Sequence, residues 1–545
     1  MKRILTIFLA LVMLVLSGCG GSKSTTSEGT KPSQNVTSEK EESKKVNELS
    51  IACSVTDSFC PYTAKTLMNR NITTLLYDSL IVLDNNFNPQ NVLASDVKNK
   101  GKTVTVTLKS VAFSDGTTLT ADDVVYCAKK AMKSSTRYDY ALEDVESVSA
   151  VSSDTVVFTL SKSDPYFINQ LDFPIYKANS ETKLSGDNIE IPPIGSGRYV
   201  INDEKTELKV NSKYWGDQPK IKKINLINTP DNDSLLHNLE FGNITYHYSD
   251  LSDCVLSQVR GNYKRVNTTN LVYLGANMSS GAMSYGEVRQ AVSAIIDRNR
   301  IINEAYYQNG IATTSIFNPE WKEAKELVTP SGEINKNVYL AQLEKIGYNK
   351  KDNKGYYVNS NGDRLTLKLV NYKGNEWRNR AAELISSQLK AEGIKVVTDN
   401  LDWNGYKSAL KNGQFDIYIA EVKLGNNMDI SELVTKGGDA SYGIYYKKSS
   451  KKSKNTSSSG TSSKKEDVTE VETAPAGSTA EAVKGFYKGD KTLVEVSAAF
   501  YGEMPIIPIC YRTGISSYLG DIKGIKPSQS DIYFGIENST IIRED

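Results

Sequence analysis

Between Leu365 and Val422 the hydrophobic period switches back and forth, and this alternation constrains the fold more than any other stretch of the chain. Leu365, Leu367 and Leu369 recur at every second residue, as in a strand. Ala381, Leu384, Ile385 and Leu389 then follow the helical spacing, and Gly393 supplies a stop. Ile394 to Val397 reads as a second strand, Trp403 to Leu410 as a short helix, and Phe415 to Val422 as a third strand. Strands separated by helices cannot pair as hairpins, so this β-α-β-α-β run predicts a parallel sheet and an α/β fold.

Similar signals occur elsewhere. Val104, Val106 and Leu108 share one face of a predicted strand, as do Val156, Phe158 and Leu160. Val288, Ala291, Val292 and Ile295 predict a helix, and Arg289 and Asp297 would share a face of it two turns apart. Asp115-Gly116 suits a tight turn, and Thr120 can cap a helix whose positive end favours Asp122 and Asp123.

The N-terminus bears on location. Met1-Lys2-Arg3 is followed by Ile4 to Leu16, apolar except for Thr6, and then by Leu16-Ser17-Gly18-Cys19. So short a run suits a secretory leader better than a membrane anchor. Leu-Ser-Gly-Cys resembles a bacterial lipobox, which implies cleavage after residue 18 and acylation of Cys19. Residues 19 to 46, rich in Ser, Thr, Lys and Glu, then read as a disordered tether. The formal charge is +1 and falls by two to −1 when Lys2 and Arg3 leave with the leader. No basic block suggests nucleic acid. Beyond Cys19, Cys53 and Cys60 are near enough in sequence to bridge, and the remaining cysteines read as small buried apolar residues. Residues 447 to 465 are almost entirely Ser and Lys, and 466 to 479 continue as a Pro- and Ala-containing stretch. A packed sheet cannot hold such a segment, so 447 to 479 reads as a disordered surface insertion.

Catalytic signatures are scarce. His237 and His247 are the only histidines, and neither HExxH nor paired CxxC motifs occur, which makes a zinc site improbable. There is no GxSxG elbow and no phosphate-cradling glycine loop. Ser387-Gln-Leu-Lys390 matches SxxK by chance, in the middle of a predicted helix. No cofactor or metal is expected, and the pattern favours binding over catalysis.

Five segments in order resemble the family 5 (cluster C) solute-binding proteins of peptide and nickel ABC transporters. They are "VAFSDGTTLTADDVVYCAKKAM" (111–132), "PPIGSGRYVI" (192–201), "LEFGNITY" (239–246), "LVYLGANMSSGAMSYGEVRQAVSAIIDRNRII" (271–302) and "IGYNKKDNKGYY" (346–357). Ser196 and Arg198 depart from the family's Gly-Thr-Gly-Pro-Tyr segment.

The resemblance implies a two-lobed periplasmic-binding-protein-like fold (type II) with an extra domain inserted in lobe I. Lobe I would comprise 47–74, 190–268 and 508–545, the inserted domain 75–189, and lobe II 269–507. It also implies a monomeric, lipid-anchored protein on the outer face of the cell membrane. Such a protein passes an oligopeptide or similar small solute to a permease driven by a separate ATPase. Other readings are a nickel-chelate or sugar receptor of the same fold, a surface hydrolase, and a signalling or adhesion lipoprotein.

Cargo contacts are expected on loops at strand C-termini facing a cleft. The candidates are Asp57, Phe59 and Tyr62 after the first strand, and Glu421, Lys423 and Asn426 near the third strand of 365–422. In many peptide-binding relatives the second segment carries an Asp that anchors the peptide amine, and its place here is held by about Gly425. Glu421 or Asp57 would then replace the amine partner. Lys423 would meet a carboxylate, and Phe59 and Tyr62 would pack cargo side chains.

Overall fold

The computed structural model describes residues 44–181, 183–184, 190–279, 281–327, 332–438, 440–444 and 474–543. Cys19 and residues 447 to 473 lie outside these.

The predicted β-α-β-α-β run is present. Strand Thr366–Tyr372 leads into helix Glu376–Glu392, strand Lys395–Leu401, helix Trp403–Lys411 and strand Ile417–Lys423. Thr366–Tyr372 pairs in parallel with both of the other strands. Gly393 ends the long helix with a φ of 100°, a left-handed conformation that a residue lacking Cβ adopts without strain. The sheet then continues antiparallel through strands Asn262–Ala276, Ile506–Tyr518 and Tyr246–Ser249, so the whole is mixed.

Asn262–Ala276 is buried on both faces over its second half. Val272 and Leu274 join a core with Leu367, Leu369, Ile385 and Leu389, whereas Leu271 and Tyr273 join one on the opposite face with Val370 and Tyr418. A strand covered on both sides reads as a continuous apolar run, as Leu271-Val-Tyr-Leu274 does.

Two smaller sheets complete the frame. Strands Tyr199–Ile201, Glu207–Val210, Lys223–Asn228 and Glu48–Cys53 form one, with the last pair parallel. Ala94–Lys100, Thr103–Leu108, Thr155–Leu160 and Val145–Ser152 form an antiparallel sheet that packs helix Ala121–Ala131. Asp123 Oδ2 accepts from the backbone N (2.8 Å) and Oγ1 (3.0 Å) of Thr120, closing that helix's N-terminus.

Three expectations need correction. The ordered chain begins before residue 47, because Lys44–Val46 is a strand paired with Thr540–Arg543. The insertion ends before residue 479, because Ser478 and Thr479 are buried and begin helix Thr479–Lys488. Arg289 and Asp297 do not share a helix. Arg289 lies in Gly286–Ile295, while Asp297 caps the next helix, Arg298–Ala305, through Arg300 N (2.9 Å). The five described cysteines are all thiols, which settles the question that the sequence spacing left open: Cys53 and Cys60 form no bridge.

Candidate functional site

The six candidate contacts fall into three environments. Asp57, Phe59 and Tyr62 belong to the packing around the first loop. Asp57 accepts hydrogen bonds from Ser58 N, Lys65 N, Thr66 N and Thr66 Oγ1. Burial pushes its carboxyl up, but these donors, Thr66 foremost, hold it below the usual range. Phe59 is fully buried, and Tyr62, nearly so, donates its hydroxyl to the Pro174 carbonyl while packing against Tyr138 and Tyr176. Phe59 and Tyr62 are therefore core residues, not cargo contacts. Tyr62 is covered by Tyr138 and Tyr176, and Lys205 lies over the Phe59 ring, long-range contacts that local sequence does not reveal.

Glu421 and Lys423 project from the same face of strand Ile417–Lys423, two residues apart. Glu421 Oε1 accepts from Arg512 Nε (2.7 Å) and Nη2 (2.6 Å), and Arg512 Nη1 donates to the Asp250 carbonyl (3.0 Å). The expectation of a free Glu421 as amine partner is corrected to this extent: one of its oxygens is already committed. The buried Tyr306 hydroxyl, which feels both Glu421 and Arg512, has no hydrogen-bond partner.

Lys423 is solvent-exposed, and among the described residues its ammonium has no hydrogen-bond or ion-pair partner. Desolvation by the surrounding protein, followed by the positive charge of Arg137, pushes its pKa down to about 8; Arg70 acts the same way, while Asp250 and Asp172 oppose them. An accessible lysine that is nonetheless desolvated lies in a crevice rather than on an open face. Arg70 is exposed on helix Leu67–Leu76, and its side chain likewise has no partner among the described residues. Asn270, paired in register with Lys423, buries an Oδ1 that has no donor, and so does Gln170 with its Oε1. Cationic groups from three separated parts of the chain thus converge beside unpaired buried acceptors.

Asn426 has a different role. Its Nδ2 donates to Asp172 Oδ2 (3.0 Å), its Oδ1 accepts from Gln529 Nε2 (2.7 Å), and its carbonyl accepts from Asn169 Nδ2 (3.2 Å). Asp172 also receives Arg137 through two bonds (3.1 and 2.8 Å) and Ser530 Oγ (2.7 Å). Asn427 Nδ2 donates to Asp164 (2.8 Å), and Lys162 bridges Asp429 and Asp144 (both 3.0 Å). The 424–430 loop is therefore latched to residues 144–172. At Gly425 an added Cβ would lie 2.6 Å from Asn427 Oδ1 and 2.9 Å from Gln170 Nε2, so the latch occupies the space of a larger side chain.

Beside the latch, Tyr166 meets Trp321 edge-on (4.8 Å) and stacks on Phe486 (6.1 Å), forming an aromatic wall. Sequence reasoning missed this wall along with Arg70, Arg137 and Asp172. The abundance of tyrosine, 31 against 4 tryptophans, was the available signal for aromatic surfaces. No local pattern marks the charges. His237 lies on the surface against Phe241 (4.5 Å), while burial pushes His247 down to about 4. Among the described residues no group of three His, Cys, Asp or Glu is arranged to hold a metal, and no helix is long and apolar enough to cross a membrane.

Comparison with known proteins agrees with this frame. The profile of the bacterial extracellular solute-binding proteins, family 5 (middle region), matches residues 88–436. The oligopeptide-binding protein AppA of Bacillus subtilis is 26% identical over 454 residues, covering 77% of this chain and 81% of its own. The nickel-binding protein NikA of Staphylococcus aureus is 25% identical over 425 residues, covering 74% and 75%. The structure of NikA from Brucella suis in complex with Fe(III)-EDTA superposes with a TM-score of 0.65 at 17% identity, over 91% of this chain and 99% of that one.

Proposed function

The chain belongs to family 5 of the bacterial extracellular solute-binding proteins, and on that premise we propose that it is the lipid-anchored, cargo-capturing component of an ABC importer for oligopeptides or similar small solutes. Family 5 proteins are transport binding proteins rather than enzymes, in keeping with the scarcity of catalytic motifs. The tether would run from an acylated Cys19. The lobes would follow the boundaries given above, with the ordered body starting at Lys44. Strands Asn262–Ala276 and Ile506–Tyr518 cross both boundaries of lobe II, and the register shift between Asn267 and Leu271 places an irregularity where a hinge would bend.

The observation that carries the reading is the accessible yet desolvated Lys423 facing Arg70 and Arg137. A positive cluster with no protein anion on two of its members is suited to an anionic group brought by the cargo, such as a peptide carboxylate. Glu421, through its second oxygen, and Asp250 supply negative charge nearby for an amine. The test begins with mass spectrometry of what co-purifies with the protein, followed by calorimetry with that cargo and its carboxyl-amidated form. Lys423→Gln should weaken the free acid by about tenfold or more and leave the amide little changed. Equal affinity of acid and amide for the unmodified protein would overturn the assignment.

A further inference from the structure

The small sheet at the start of the described chain carries a surface that the cargo site does not use. Strand Lys44–Val46 pairs with Thr540–Arg543, which pairs in turn with Asp521–Lys523. The inner face is apolar, with Ile522 and Ile541 in register and buried. Lys45, Ile542 and Asp521 stand opposite one another, so they share the outer face, and Lys523, two residues beyond Asp521, shares it too. Lys45 and Lys523 are both exposed.

A second pair of lysines adjoins this sheet. Lys220 N donates to the Glu537 carbonyl (3.3 Å) and its Nζ to the Asn538 carbonyl (3.4 Å), just before strand Thr540–Arg543. Lys222 N donates to the Asn47 carbonyl (2.8 Å), just after strand Lys44–Val46. Ile221 between them is buried, while both lysines are exposed.

The charge of this surface is unbalanced. Among the described residues Lys45, Lys220 and Lys222 have no ion-pair partner, and Asp521 lies 3.8 Å from Lys523 as an exposed pair. Glu48 and Glu537, which flank the sheet, are committed to Lys223 (3.2 Å) and Arg198 (3.4 Å). The lysines therefore outnumber the carboxylates that could neutralise them.

The position of the surface selects its partner. Only residues 20 to 43 separate Cys19 from Lys44, and a chain of that length spans at most about 80 Å. With Cys19 acylated, the chain enters the folded body at this sheet, and the sheet is held near lipid headgroups at a high effective concentration. We infer that this surface docks on anionic phospholipid headgroups, with Lys45, Lys220, Lys222 and Lys523 meeting phosphate, a choice of partner that rests on the proposed anchor at Cys19. Docking holds one side of the body towards the membrane.

The test is co-sedimentation of the mature chain, residues 19–545 carrying Cys19→Ser and therefore no acyl group, with vesicles of equimolar phosphatidylglycerol and phosphatidylcholine or of phosphatidylcholine alone. Binding to the anionic vesicles is expected to be at least tenfold tighter and to be lost at high salt. Lys45→Glu, Lys220→Glu and Lys222→Glu together should weaken it at least tenfold, since each lysine beside an anionic surface contributes roughly fivefold. Lys98→Glu, Lys100→Glu and Lys102→Glu, at exposed lysines of the hairpin formed by Ala94–Lys100 and Thr103–Leu108, change the net charge equally and should leave binding unchanged. All six positions are exposed, so neither variant removes core packing. Equal binding to neutral vesicles, or an equal loss in the two triple variants, would overturn the inference. Mass spectrometry of membrane-extracted protein tests the anchor separately: an unmodified Cys19 would overturn the anchoring, whereas the vesicle result decides the surface.

Discussion

Asn426→Ala should weaken cargo binding without weakening the fold. The substitution removes the charge-assisted bond to Asp172 (3.0 Å) and the bond from Gln529 (2.7 Å). A hydrogen bond to a charged group contributes about 1.5 to 3 kcal/mol and a neutral one about 1, so the latch loses about 2 to 4 kcal/mol. Asp172 keeps Arg137 and Ser530, so no buried charge is stranded. In the proposed architecture both bonds cross between lobes and exist only in the closed state. When the open form dominates without cargo, the whole loss appears in the apparent affinity, as roughly a 30- to 1,000-fold weakening. Calorimetry with the co-purifying cargo measures this, and small-angle scattering reports whether the variant still closes at saturation. Thermal unfolding without cargo should not change. Wild-type affinity would refute the reasoning, as would a drop matched by an equal loss of unfolding free energy in the cargo-free protein.

Other outcomes follow from the same geometry. Phe59→Ala should cost about 3 to 5 kcal/mol of stability through a core cavity, with cargo affinity unchanged well below the melting temperature; denaturant unfolding alongside calorimetry checks both. His247, held at about 4 by burial against 6.5 when unfolded, stays neutral in the folded state while the unfolded chain takes up a proton. Stability should therefore fall as pH drops from 6.5 to about 4, by about 3 kcal/mol from this residue, and His247→Gln should flatten that part of a urea-unfolding pH series. Affinity for carboxylate cargo should hold steady below the Lys423 pKa of about 8 and decline above it as the ammonium loses its proton, a dependence that Lys423→Gln abolishes in calorimetry across pH.

Local pattern was a good guide wherever one face of an element sets its sequence. The alternation from Leu365 to Val422, the cap at Thr120 and the stop at Gly393 all appear in the structure because period and backbone geometry act over a few residues. The same reasoning fails at Phe59 and Tyr62, where loop position suggested accessibility but both rings are buried, Tyr62 against Tyr138 and Tyr176. It also fails at Glu421, whose partner Arg512 is 91 residues away.

What the sequence determined by itself is the α/β character of the chain, the parallel pairing of strands within 365–422 and the family to which it belongs. Each of these is written in short-range periodicity and ordered motifs. Only the tertiary structure decided that Lys423 feels the charges of Arg70 and Arg137, that Asn426 bonds to Asp172 and Gln529, and that Asp78 and Arg198 line one cavity. Desolvation and Coulomb interaction depend on distance in space, and residues hundreds of positions apart acquire that distance only when the chain has folded.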